Sequence, residues 1–437
     1  MRLLAHRAAR RYLTGQVLSL LGDSAMWLAG GIWVKTLTGS NAAAGLTFLF
    51  FTLPTVLAPL AGLLVDRVRR KPLLVVANLA GAVILTPLFL VGDAGDVWII
   101  YTVMFLYGAH NVVVAPAQSA LLTVLLPTEL LAGANATLRT AQESLRIVAP
   151  LAGAGLFALA GGRAVVALDI VTFLAAAGFT AWVAVREPDP RAAAARQGFA
   201  RDLGAGFRFI RADRTLRGVT IGAAVTTLVI GFGESAIYAV VDGLHKVPEF
   251  LGVLQTTQGI GAILGGLTAT LVIRRFGEVA VAATGTAVFA VAPLLQTVPS
   301  LPLVMVAKVF AGVGLPWITI ALLTLFQRLS PSHLQGRVFT ALEMLVTTPQ
   351  TISIGLGAAL VAALDYRLVL GLEGAVLVLA AVILAAVPSP PAVPAPSALP
   401  EPAVVSEPAV VPGPRAVPVP PAAATEASSG AGPEAVA

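Results

Sequence analysis

The sequence predicts an all-α membrane protein, with twelve transmembrane helices in two six-helix repeats. Three observations carry that prediction. Of 437 residues, 57% are hydrophobic and only 11% are charged. A soluble domain carries about a quarter charged residues, so this chain cannot cover its surface for water and needs lipid as its solvent. Next, twelve apolar runs near the roughly 20 residues that cross a bilayer follow one another between 12 and 387. Finally, the last six runs repeat the first six at an offset of 204 residues. Gly62 falls on Gly266, Arg70 on Arg274, Lys71 on Arg275, Pro127 on Pro331 and Gly153 on Gly357.

The elements follow in order. Residues 1–11 form a basic N-terminus with Arg2, Arg7, Arg10 and Arg11. The apolar segment behind them is long enough to span and shows no cleavage site, so it reads as a retained span. The N-terminal bundle, 12–185, has spans near 12–34, 43–65, 72–91, 97–125, 134–160 and 164–185. The C-terminal bundle, 217–387, has spans near 217–241, 250–273, 278–298, 302–327, 337–363 and 367–387. No water reaches their backbones, so each should be helical. Between the bundles, 186–216 is too polar to span and is dotted with arginines. The tail, 388–437, holds 14 prolines, four glutamates and one arginine without apolar periodicity, which reads as disordered and partly polyproline II.

Charge placement orients the spans. With the N-terminus in the cytoplasm, the inner segments hold 20 Lys and Arg, and the outer ones hold 4: Lys35, Arg163, Lys246 and Arg367. That asymmetry places both termini and the inner loops in the cytoplasm. The basic residues are mostly arginine amid abundant Ala, Val, Leu and Gly, a bias of GC-rich coding that points to a bacterial cytoplasmic (inner) membrane. The net charge of +6 belongs to these loops, so no nucleic-acid partner is expected. The chain lacks cysteine and has four scattered histidines, so neither disulfides nor a metal site is expected. A monomer in the bilayer, without a cofactor, is the default expectation.

The densest charge lies in "GLLVDRVRRK", Gly62 to Lys71. The stretch resembles the loop 2–3 motif of the major facilitator superfamily: Gly, three residues, Asp, a basic residue, one residue, Gly, then two basics. Gly62, Asp66, Arg67, Arg70 and Lys71 match, and Arg69 stands where the second glycine is expected. "PAQSALLTVLLPTELLAGANATLRTAQESLRIVAPLAGAGLF" and "SLLGDSAMWLAG" are similar to the exporter branch that includes enterobactin and macrolide efflux proteins. In "LRIVAPLAGA", Pro150 and Gly153 resemble the antiporter motif, with Ala149 and Ala154 in place of glycine. The helix 4 arginine of the superfamily is missing, and "LYGAHNVVVAP" offers only His110. The resemblance covers about residues 10–387. It implies a secondary transporter in which the loop network of Asp66 with Arg67 and Arg70 locks helix 2 against helix 11. Gly62 would allow the close approach there.

Ionisable groups inside spans are costly and serve as functional candidates. Asp23 sits midway along the first span and suits the loading and unloading of a proton. Glu143 and Arg146 are three residues apart, on one helix face, and can pair. Glu234 lies toward the outer end of span 7 and Glu343 toward the inner end of span 11, each placed to bind protons on its own side. Asp169 and Lys308 lie near outer span ends and read as surface anchors, and Arg139 as a snorkelling anchor. Met26, Trp27, Trp33, Phe232, Tyr238 and Trp317 are the side chains expected to line a cavity for a bulky amphipathic compound.

The expected function is a secondary active transporter that is not an enzyme: a proton-coupled exporter of a small hydrophobic or amphipathic compound such as a drug, antibiotic or siderophore. A proton gradient is the expected energy source, since no Walker loop is present. An importer on the same fold is the alternative. A membrane-embedded transferase would need clustered Asp or His at a membrane face, which the sequence lacks.

Overall fold

The computed structural model describes residues 6–58, 61, 65, 67–185, 187, 199–331 and 334–389. Among them there is no strand. α1 is Arg7–Thr38, α2 Asn41–Thr52 with a 3₁₀ extension Leu53–Leu57, α3 Arg70–Leu85 and α4 Val97–Leu125. One helical run, Thr128–Trp182, breaks at Gly161 into α5 (128–160) and α6 (162–182). After a linker helix, Phe199–Ala212, come α7 Arg214–Gly243, α8 Leu251–Phe276, α9 Glu278–Gln296, α10 Leu301–Leu329, α11 Gln335–Ala363 and α12 Tyr366–Ala385. Among the described residues, ten helices are long and apolar enough to cross a membrane when the α5–α6 run is counted once. The break at Gly161 and the shorter apolar α2 complete the predicted twelve.

Local chemistry sets the ends. The His6 side chain accepts from the Ala9 N–H to cap α1. At the far end Gly39 takes φ +67° and donates to the Lys35 carbonyl, the left-handed cap for which glycine is suited. Ser40 then caps α2 through the Ala43 N–H. Gly161, at φ +76° and ψ 177°, lies where a side chain is strained, and it turns the chain between α5 and α6.

Among the described residues, the two halves share a core at one end. There Met26, Ile32 and Phe48 pack with Ala236, Tyr238, Val241, Leu251 and Ile354. At the other end, that of the basic loops, each half has its own core: Leu13, Leu74 and Leu121 in the first, and Leu216, Leu325, Phe326 and Val338 in the second. The halves are therefore sealed at the far end. A cavity of about 940 Å³ lies between them.

Small residues let the halves touch. A Cβ on Gly252 of α8 would lie 2.9 Å from the Pro150 carbonyl of α5, and one on Gly45 of α2 would lie 3.1 Å from Ser235 Cα of α7. Thr256 of α8 donates to the Ile147 carbonyl of α5 at 2.7 Å. Lys35 and Asp242 close the far end with a 2.6 Å ion pair.

Part of the polar segment between the bundles is a packed element. The linker helix sets Gly206 against the Arg337 carbonyl and Ala341 of α11, and Ile210 enters the core of the second half. Residues 188–198 and the predicted tail from 390 lie outside the described residues.

Candidate functional site

Asp23 faces the cavity from the middle of α1. Behind it stands a chain of oxygens. The Tyr107 hydroxyl of α4 lies 2.5 Å from Asp23 Oδ1 and 2.9 Å from Asp169 Oδ2 of α6. Asp169 is fully buried and also accepts from Thr172 Oγ1 at 3.2 Å, while Ser19 donates to Asp23 at 3.4 Å. A glycine makes the approach possible: a Cβ on Gly22 would overlap Thr172 Oγ1 and Asp169 Oδ1. His110 packs beside Tyr107 and edge-on to Phe173, 5.1 Å between ring centroids, with Nε2 3.0 Å from the Ala77 carbonyl.

The arrangement bears on where protons sit. A phenol has one hydrogen to donate, yet Tyr107 stands at hydrogen-bond distance from two carboxyl groups. Both contacts are hydrogen bonds only when one carboxyl is itself protonated. The trio links a buried pocket to the cavity wall and could hold one proton beyond the phenol's own.

A second polar cluster lies in the other half. Glu234 of α7 and Gln255 and Gln258 of α8 line the large cavity. They also wall a small chamber of about 50 Å³, whose deeper side carries Gln296 of α9, Lys308 of α10 and Glu373 of α12. Lys308 and Glu373 are buried.

These placements correct the surface-anchor reading of Asp169 and Lys308. Each lies about two turns inside its helix, roughly 10 Å deep at 1.5 Å per residue, and faces protein. Glu143 and Pro150 line the cavity, whereas the Arg146 and Arg139 side chains lie outside the description. Glu343 is exposed and is not among the residues that line the cavity. Of the aromatic and Met candidates, Trp27 alone is in that lining. Met26 and Tyr238 are fully buried in the far-end seal, and Tyr238 stacks on Phe48 at 6.0 Å. Trp33 packs on Phe157, and Phe232 lies against the core of the second half. Trp317 donates to Thr268 Oγ1 at 2.9 Å within that half. The reason is helical phase: these residues sit on faces turned toward neighbouring helices.

In the basic loop, Gly62 and Asp66 lie outside the described residues, so the latch is seen only from Arg67 onward. Arg67 and Arg69 are exposed. Arg69 has φ −69° and ψ 129°, ordinary extended backbone, so the absent glycine imposes no strain. Arg70 and Lys71 open α3, and their N–H groups donate to the two carboxylate oxygens of Glu187 at 2.5 and 2.8 Å, a helix N-terminus holding an anion. Gly153 serves close packing, since a Cβ there would lie 2.9 Å from Ala25 Cα of α1. Its repeat partner Gly357 meets Phe232 Cα of α7 at the same 2.9 Å.

Two six-helix halves around a central cavity sealed at one end, with ionisable groups midway along the helices, are the architecture of a transporter built from parallel repeats. The model of the Major Facilitator Superfamily matches residues 12–245 and 223–426, and the chain belongs to that superfamily. It is a transporter and not an enzyme. It is similar to macrolide efflux protein A of Streptococcus pyogenes, 24% identical over 359 residues, which cover 79% of this chain and 87% of that protein. In fold it is similar to a bacterial homologue of the iron transporter ferroportin in its inward-facing state, with TM-score 0.66 and 15% identity over 87% of this chain and 98% of that one. It is likewise similar to the nucleoside transporter NupG, with TM-score 0.70 and 14% identity over 86% and 99% of the two chains.

Proposed function

We propose that this protein is a proton-coupled exporter of a bacterial cytoplasmic membrane, with its basic end in the cytoplasm. It trades inward-moving protons for an outgoing hydrophobic or amphipathic compound, and macrolides are the first candidates. The Asp23–Tyr107–Asp169 chain carries this reading. It ends at the cavity wall, where substrate and proton meet, and it needs a proton beyond the phenol's own to make both of its bonds.

In this conformation the cavity lies on the basic-end side of the seal, which is where an exporter takes up cargo. Its volume lies in the upper range of ligand pockets. Trp27, Phe51, Leu315 and Leu323 supply apolar wall, and Asp23, Glu143, Glu234 and Gln255 supply polar groups. Substrate pressing on Asp23 would favour proton release toward the cytoplasm. The substrate-loaded carrier would then turn outward and release its cargo, which lets the chain reload a proton, and the protonated carrier would return to face the cytoplasm. The export direction draws on the macrolide efflux relative and on the antiporter-like Pro150 and Gly153.

The test is transport in proteoliposomes with an imposed pH gradient and labelled erythromycin as probe, alongside a panel of amphipathic dyes. Wild type is expected to move a probe against its gradient only when protons flow the other way. Asp23→Asn should abolish that movement while keeping downhill exchange. Unchanged gradient-driven transport in Asp23→Asn would remove the central residue of the proposal.

A further inference from the structure

The repeat brings two buried carboxylates into register. Asp169 plus the offset of 204 is Glu373, and Arg163 falls on Arg367 by the same step. Each half therefore carries one carboxyl on its last helix, about two turns in from the far end, facing the protein interior. In the first half Asp169 is the deep end of the chain described above. The proposed function gives its counterpart no role.

Glu373 is 3% exposed, and its Oε2 has no protein hydrogen-bond partner. It borders the 50 Å³ chamber, which has room for one or a few waters. The nearest cation, Lys308, donates to Gln258 Oε1 at 3.3 Å, and no ion pair within 4 Å joins it to Glu373 among the described residues. The charged groups of the chamber are Glu234, Lys308 and Glu373, while α8 and α9 contribute glutamine amides. With both carboxyls ionised the chamber would hold net −1 in a setting where an uncompensated charge costs several kcal/mol. One proton brings it to zero.

We infer that this chamber is a second proton-binding site, with the proton on Glu373 in the far-end-sealed conformation and Lys308 as the counter-ion once it leaves. On release the O–H bond of Glu373 breaks, and the proton passes by way of the Glu234 carboxylate to cavity water. The Lys308 ammonium then turns from Gln258 to the new carboxylate. Glu234 lines both spaces, which makes it the door between them. The transporter thus binds one exchangeable proton in each half. The inference extends the proton-coupled reading to a second site and rests on it.

The test needs no substrate. Infrared difference spectra of the purified full-length protein in lipid, titrated from acid to alkaline pH, report protonated carboxyl groups by their C=O stretch. Wild type is expected to lose two separable buried-carboxyl bands as pH rises. Asp169→Asn should remove one, Glu373→Gln the other, and Glu373→Asp should restore a displaced second band. If Glu373→Gln leaves the spectrum unchanged while Asp169→Asn removes a band, the second site is wrong and the first stands. A band lost only with Glu373 supports the chamber and contradicts the first-half chain. A wild-type spectrum with no titrating buried carboxyl overturns both, without recourse to any variant.

Discussion

Gly22 shows how much a single residue can govern. Its missing side chain lets α1 lie against Asp169 and Thr172, and that contact keeps Asp23 and Asp169 on the same tyrosine. Gly22→Ala should push α6 outward, costing about 1–3 kcal/mol as an overpacked site, and should separate the two carboxyls. The expected result is a lowered unfolding temperature together with loss of proton-driven transport. A variant that transports normally would show that the Asp23–Asp169 spacing does not matter. Asp23 was legible from the sequence because it interrupts an apolar run. Tyr107 and Asp169 were not, because a tyrosine is unremarkable in a membrane helix and depth within a span is blurred by uncertain ends. One signal was there to read: Asp169 and Glu373 coincide at the repeat offset.

At the scale of elements, the far-end seal decides which side is open, and two kinds of contact hold it. The Lys35–Asp242 pair has one partner 44% exposed, and such pairs contribute about 0.2–1 kcal/mol. Hiding a large side chain such as Tyr238 or Phe48 from water contributes about 1.5–3 kcal/mol, so the apolar contacts win. Asp242→Asn should therefore shift the open fraction at the far end only modestly, by less than about tenfold, and Tyr238→Ala should shift it more. Spin labels at Thr36→Cys and Val247→Cys, both exposed positions in a chain without native cysteine, would read the distance. The reverse order of effects would make the ion pair the true lock. Span positions and the linker's basic character were plain from composition. The helix within the linker was not, since its apolar face matters only against α11.

For the whole molecule, the doubled six-helix block is what the offset of 204 residues foretold, and the repeat extends to function-bearing detail. Gly153 and Gly357 make equivalent close contacts in the two halves. The loop latch stays a sequence-level proposal, because Gly62 and Asp66 lie outside the described residues. Glu187, which clamps the start of α3, is a partner that no motif announced. Glu187→Gln should loosen that clamp and raise hydrogen exchange at the Arg70 and Lys71 amides. Unchanged protection there would mean that the clamp does not hold the loop. The length of the apolar runs marked the helices, whereas which of their faces meet across the cavity depended on packing, and most of the aromatic candidates fell on the wrong side of it.

The proposed coupling requires that a proton pass between Asp169 and Asp23 through the Tyr107 hydroxyl. Tyr107→Phe keeps the ring and its packing and removes that oxygen alone. Proton flux coupled to transport of a compound that wild type exports, measured in proteoliposomes, is the direct test. Tyr107→Phe is expected to lose gradient-driven transport while still exchanging substrate downhill. Coupled transport at the wild-type rate in Tyr107→Phe would contradict it.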